Sequence, residues 1–251
     1  VAIGSGSNAS AENALAQGTS ATASGESTIA MGASSTAAAT SANAIGNMAA
    51  ASGVDSTAIG SKAQSTKQSA LAIGSTAFAD GSNAVAIGGQ SQATFATTTA
   101  VGTNAQAIAT NATALGAAAV ANKDNAVAVG VNAKAQENSN IAIGNLANAT
   151  GATSAIAIGR QSVAAGESSI ATGYQASAAN HATALGSRAT ASGVNAVAQG
   201  SSATASGENA VAIGSSAQAL VQNVTAVGNR AGSSSSSEFD TAIGYGAGSN
   251  I

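Results

Sequence analysis

A glycine returns every fourteen residues from Gly4, at Gly18, Gly32, Gly46, Gly60, Gly74, Gly88, Gly102, Gly116, Gly130 and Gly144, without exception. The step then becomes fifteen to Gly159, fourteen to Gly173 and thirteen to Gly186, returns to fourteen through Gly200, Gly214 and Gly228, and ends with sixteen to Gly244. A fixed period of this kind is the signature of stacked supersecondary units and outranks any local propensity. Eighteen anchors tile residues 1–251, so one repetitive architecture is expected rather than two domains.

Counting positions from each anchor shows what the repeat demands. Position −2 is Ala in all eighteen copies, and position −1 is Ile, Leu, Val or Met in fifteen, the exceptions being Gln17, Thr172 and Gln199. Position −3 is Val, Ile, Leu or Thr except at Asn43. Alternation of β-branched and small residues over three positions describes a short strand. Positions +3 and +5 are again small, with a mostly polar residue between them, as in "ATA" at 203–205 and "AQA" at 217–219. That is a second short strand. A further Gly often stands at +7, at Gly25, Gly53, Gly81, Gly151, Gly166, Gly193 and Gly207, and Asn, Ser, Asp or Thr stands at −5 in 15 of 17 copies. Both places read as turns. Two strands and two turns per period make one coil of a parallel β-solenoid, each strand bonded to its copy in the next coil. Eighteen coils at ~4.8 Å would stack to about 85 Å. An apolar spacing of two broken by Gly and Ser is incompatible with helix.

Composition supports a thin fold held together by regular packing. The chain has three Phe, two Tyr, no Trp, no Pro and no Cys, which removes large core side chains, proline turns, disulfides and thiolate metal sites. Ser- and Gly-rich chains are often disordered, but disorder has no reason to hold apolar residues in register. A net charge of −3 on scattered charges offers neither a nucleic-acid stripe nor a basic membrane-binding face.

So narrow a coil admits only small side chains inside, which assigns the Ala at −2 and the small residues at +3 and +5 to the interior. The aliphatics at −1 and −3 must then face outward on the first strand. Each chain would carry a long apolar stripe through Ile45, Ile59, Ile73, Ile87, Val101, Leu115, Val129, Ile143, Ile158, Leu185, Ile213 and Val227. Stripes of that size are covered by other chains, so obligate self-assembly is expected.

The repeats "NAVAIGGQSQATF", "SALAIGSTAFADGS" and "ENAVAIGSSAQAL" closely resemble the head repeat of the trimeric autotransporter adhesins of Gram-negative bacteria, the Yersinia adhesin head type. The resemblance runs over essentially all of residues 1–251. It implies an all-β, left-handed parallel β-roll, three copies packed with their apolar stripes at the trimer centre, and a longer parent protein. The parent would hold a signal peptide, a coiled-coil stalk and an outer-membrane β-barrel, placing the head at the bacterial cell surface. No heptad segment, membrane-spanning stretch or recognisable neck sequence occurs here, so this chain is expected to be a head fragment that does not itself enter a membrane. The one-residue length changes near Gly159 and Gly186 are expected in turns, and "GSSSSSEFD" at 232–240 as a loop.

The sequence points to no catalytic, cofactor or metal site. The single histidine, His181, stands at a turn position elsewhere usually Asn or Ser, and one His without Cys gives too few parts for a His-dependent triad or a His-rich metal site. Glu26, Asp55, Asp80, Glu167 and Glu208 fall at coil turns, and Asp124, followed by Asn125, does not match a calcium-binding repeat. No phosphate-binding "GxxxxGK" is present.

Function is therefore read as a binding or structural one. The resemblance implies an adhesin head whose polar outer surface contacts host matrix proteins (collagen, fibronectin or laminin), cells, other bacteria or abiotic surfaces, a weak contact gaining avidity by repetition. The alternatives are a rigid spacer or self-association module without a ligand of its own, and an ice-binding solenoid. The last needs a flat Thr face, whereas position +4 runs Asn8, Thr22, Thr36, Ala50, Gln64, Phe78, Gln92, Gln106, Val120, Lys134. The ligand-contacting residues are not assigned. Candidates are the outward Phe78 and Val120 and the cations Lys62, Lys67, Lys123, Lys134, Arg160, Arg188 and Arg230.

Overall fold

A computed structural model describes residues 1–232 and 240–248 of the chain. It divides into two compact units, Val1–Asn125 and Ala126–Ile251, each of the same construction. Every described element is a strand, so the fold is all-β. In the first unit, three-residue strands such as Thr57–Ile59, Leu71–Ile73, Val85–Ile87 and Thr99–Val101 form one parallel sheet, and two-residue strands such as Gln64–Ser65, Phe78–Ala79 and Gln92–Ala93 form a second. The second unit repeats this with Val127–Val129, Ile141–Ile143 and Ile156–Ile158 in one sheet and Lys134–Ala135, Asn148–Ala149 and Val163–Ala164 in the other. Register holds at one repeat per coil: Leu71 pairs Val85, Ala72 pairs Ala86 and Ile73 pairs Ile87. Each unit is a parallel β-solenoid, as the period predicts.

The anchor glycine holds coil to coil. Its φ lies between 125° and 137° in all eighteen copies, a region open to Gly and rarely adopted by L side chains. Space forbids a side chain as well: a Cβ on Gly88 would stand 2.6 Å from the carbonyl carbon of Gly102 in the next coil. Two tight turns follow the same plan in every regular coil. Ala77 N–H donates to Gly74 C=O at 3.2 Å to close the first, and Ala84 N–H donates to Gly81 C=O at 3.1 Å to close the second. The third residue of each turn is left-handed, Thr76 at φ 54° and Asn83 at φ 58°. Each of these residues also donates its N–H to the preceding coil, Thr76 to Ser61 C=O at 2.8 Å and Asn83 to Gln68 C=O at 2.9 Å. Turns as well as strands are thus welded into the stack, which offsets the roughly 1–2 kcal/mol that a left-handed non-Gly residue costs.

The +7 glycines sit in turns, as the sequence suggests, but for a different reason. They are buried, and none has a left-handed φ. A Cβ on Gly81 would lie 1.8 Å from Phe95 O in the next coil, so close backbone approach selects them.

The interior is nearly all alanine. Positions −2, +3 and +5 are inside, as expected, and position −4 joins them: Ala70, Ala72, Ala77 and Ala79 of one coil are all at most 1% exposed. Larger or polar intruders are few and almost all satisfied. Thr28, Thr98 and Ser169 at −4 donate to the carbonyls of Gly25, Phe95 and Gly166, and Ser35, Ser91 and Ser162 at +3 donate to those of Gly32, Gly88 and Gly159. Ser65 stands out. It is the only non-alanine at +5 from Ala9 to Ala219, and its buried Oγ has no partner.

Both length changes fall in the second turn, where no strand pairing is disturbed. Where the step is fifteen, the extra residue separates Gly151 from Ala155 and breaks the usual turn hydrogen bond. Asn140, buried in the coil before, replaces it: its Oδ1 accepts from Ala155 N–H at 2.8 Å, and its Nδ2 donates to Gly151 C=O and Ala149 C=O, both at 3.0 Å. Where the step is thirteen, the turn closes between Ala182 N–H and Ala179 C=O at 3.1 Å. Residues 233–239, most of the loop expected at 232–240, lie outside the described residues.

Two core substitutions are expected to move stability in opposite directions. Ser65→Ala removes an unpaired buried hydroxyl and is expected to stabilise the chain by about 1 kcal/mol, whereas Asn140→Ala orphans Ala155 N–H and Gly151 C=O and costs about 3 kcal/mol. Denaturant titration followed by circular dichroism measures both; a loss of stability in Ser65→Ala contradicts the assigned unpaired hydroxyl.

Candidate functional site

Three surfaces remain once the interior is filled. The first is the outer face of the three-residue strands. Sheet registry stacks Ile59, Ile73, Ile87, Val101 and Leu115 in one column of the first unit. In the second unit, Val129 pairs Ile143, which pairs Ile158, and Ile213 pairs Val227. Ile45, Ile143 and Ile158 are 37–38% exposed, and Ile59, Ile73, Ile87, Val101, Leu115, Val129, Leu185, Ile213 and Val227 are partly exposed. Their −3 neighbours, including Leu71, Val85, Val127 and Ile141, share that face and are also partly exposed. Alternation over an alanine core leaves no other orientation. Gln17, Thr172 and Gln199 interrupt the column.

The second surface is the outer face of the two-residue strands, where position +4 projects. Phe78 and Val120 are half-buried among their neighbours, whereas Lys134 is exposed. Thr76, Phe78, Gln90, Gln92, Thr94, Asn104 and Gln106 line a depression of about 490 Å³ on this face of the first unit.

The third surface is the pair of turn edges, and charge is sorted between them. None of the ten Asp and Glu residues falls at +1 or +2, in the first turn, whereas Lys62, Arg160, Arg188 and Arg230 do. Glu12, Glu26, Asp55, Asp124, Glu137, Glu167 and Glu208 belong to the second turn, and Asp80 stands immediately before it. On the acid-free edge of the second unit, Tyr174 lies between two guanidinium groups, Arg160 at 5.0 Å and Arg188 at 5.8 Å from the ring centroid. Cation–π attraction stands in for ion pairing there. The second-turn edge carries Asn ladders at −5: Asn195 donates to Asn209, and Asn209 to Asn223, each at 3.2 Å, with Asn111 donating to Asn125 likewise.

Lys67 and Lys123 are exposed at +7, in the second turn of their coils. His181 is exposed at a left-handed turn position, φ 55°, and its backbone N–H donates to Glu167 C=O at 2.8 Å. Among the described residues no three His, Cys, Asp or Glu side chains gather in a way that could hold a metal ion. Column-by-column comparison of the turns would have shown the charge sorting in the sequence. The Arg–Tyr stack carries no comparable signal, since it joins +1 and +2 residues of three coils.

The repeat geometry just described matches a family model, the YadA head domain repeat, in successive two-copy windows that together span residues 1–105, 107–133 and 152–231. The chain belongs to the YadA head family. It is thereby a head domain of the trimeric autotransporter adhesin type, and YadA heads are parts of surface-exposed adhesins, which places it at the cell surface. Among solved structures it is similar to the collagen-binding domain of the Yersinia adhesin YadA, at 22% identity and a TM-score of 0.29. That match covers 69% of this chain and 65% of the Yersinia domain. No curated protein sequence matches the chain.

Proposed function

We propose that three copies of this YadA head pack through their apolar first-strand faces and present the polar second-strand faces as an adhesive surface. One observation carries the assembly: a registered column of Ile, Val and Leu is left partly in water by a coil whose interior cannot take it. Fully burying a Val or Ile contributes roughly 1.5–3 kcal/mol, so covering even the exposed part of a dozen such side chains per chain outweighs the entropic cost of association. The three-fold number rests on family membership. Cyclic packing also suits an asymmetric coil, since it sets the acid-free edge of one copy towards the acid-bearing edge of the next.

The adhesive reading names host matrix protein as ligand, with collagen, fibronectin and laminin as the candidates, and an outer-membrane anchor in the parent protein. Support comes from family membership and from a rigid scaffold that repeats one surface over many coils and three chains, so that weak contacts add.

Sedimentation of the purified chain is expected to give the mass of three protomers, and Ile73→Asp with Ile87→Asp the mass of one. A double variant with unchanged mass would sink the assignment of the apolar face. On immobilised collagen, fibronectin, laminin and bare plastic, the assembled chain is expected to bind at least one matrix protein saturably. Binding to none of them points instead to the spacer or self-association role.

A further inference from the structure

The depression on the second-strand face of the first unit brings an aromatic ring together with four carboxamides. It lies over the coils anchored at Gly74, Gly88 and Gly102, and its lining contains no Asp, Glu, Lys or Arg. Phe78 forms one end, the only aromatic residue at +4 anywhere in the chain. Beside it stand four carboxamides in a two-by-two array, Gln90 and Asn104 at +2 with Gln92 and Gln106 at +4. Only these two coils of the chain carry a carboxamide at both positions. Strand pairing aligns Phe78 with Gln92 and Gln92 with Gln106, so the array follows the coil spacing of ~4.8 Å.

Some amides of the chain are already committed to neighbours, and these four are not. Asn111, Asn195 and Asn209 spend theirs on ladders, and Gln161 and Gln175 on each other and on Arg188. Among the described residues, the carboxamides of Gln90, Gln92, Asn104 and Gln106 make no hydrogen bond within the protein. Each therefore offers a planar pair of donors and an acceptor to solvent. Neighbouring hydroxyls on one ring need that combination, because each hydroxyl is both donor and acceptor. A half-buried phenyl ring, meanwhile, is covered well by a C–H-rich face packed on its π surface. The absence of charge selects against sulfated, phosphorylated or uronic ligands, whose anions would have no partner there.

We propose that this cup binds a neutral hexose of a glycan, with Phe78 against its C–H face and Gln90, Gln92, Asn104 and Gln106 on its hydroxyls. The assignment deepens the adhesin reading and rests on it, since the second-strand face must be the displayed one. An open, shallow site of this size binds a single sugar weakly, with a Kd on the order of 1 mM, and three copies in one assembly convert this to useful avidity on a glycan-coated surface.

The test uses the assembled wild-type chain on immobilised lactose, N-acetyllactosamine, mannotriose, cellotriose and chitotriose, with sialyllactose and heparin as charged comparators. Saturable binding to at least one neutral glycan is expected, displaced by the same sugar in solution. Phe78→Ala, and Gln92→Ala with Gln106→Ala, should each weaken it at least tenfold with sedimentation and circular dichroism unchanged, whereas Gln218→Ala, a +4 glutamine outside the cup, should not. Binding to charged comparators alone, or binding that survives both cup variants, overturns the assignment. A chain that binds matrix protein but no neutral glycan also overturns it while leaving the adhesin reading intact; a trimer that binds neither brings down both.

Discussion

The anchor glycine sets how closely successive coils can approach, and the rest of the molecule follows from that distance. With a Cβ excluded and φ near 130°, the backbone of one coil lies directly on the carbonyl of the next. An interior defined by such close coils has room for methyl groups and hydroxyls, hence four small residues per coil and a core whose largest fully buried side chain among the described residues is Val224. Large aliphatics are displaced outward. In most proteins the hydrophobic effect closes the chain on itself; here the large aliphatics stay at the surface, while backbone hydrogen bonding and alanine packing hold each coil.

Much of this was legible before any coordinates. The period gave the coil, Ala at −2 gave the interior, and alternation put Ile73 and Ile87 on the outside. What escaped the sequence has physical reasons. Position −4 was not recognised as interior because Thr28, Ser56, Thr98 and Asn140 look like turn residues; their side chains are satisfied by carbonyls three residues away for Thr28 and Thr98 and nine away for Ser56 and Asn140, which no composition rule reveals. Left-handed residues at +2 gave no signal, since Met48, Lys62, Leu146 and Arg188 all adopt that conformation without the usual Asn or Gly. The cup around Phe78 was half visible. Phe78 stood out as an aromatic oddity, but the amides around it matter jointly, and only the parallel register brings residues fourteen apart side by side.

Polar groups inside the coil show how little tolerance such a thin core has. A globular interior can absorb an extra residue by shifting neighbours, whereas a solenoid transmits any misfit to the next coil. Confining insertion and deletion to the second turn, and bridging the longer case with the Asn140 amide, keeps every strand in register across the irregularity. Ser65 is the exception, a hydroxyl for which the structure offers no compensating partner.

The +2 turn position has a consequence of an evolutionary kind. Its backbone is held from both sides, by the turn hydrogen bond and by the N–H donated to the coil beneath, so the conformation does not depend on the residue placed there. Ser, Met, Lys, Thr, Gln, Asn, Ala, Leu and Arg all occur at it with φ between 53° and 59°. A surface position that the fold ignores is free to drift. One edge of every coil can therefore change its chemistry from one lineage to the next while the scaffold behind it stays the same.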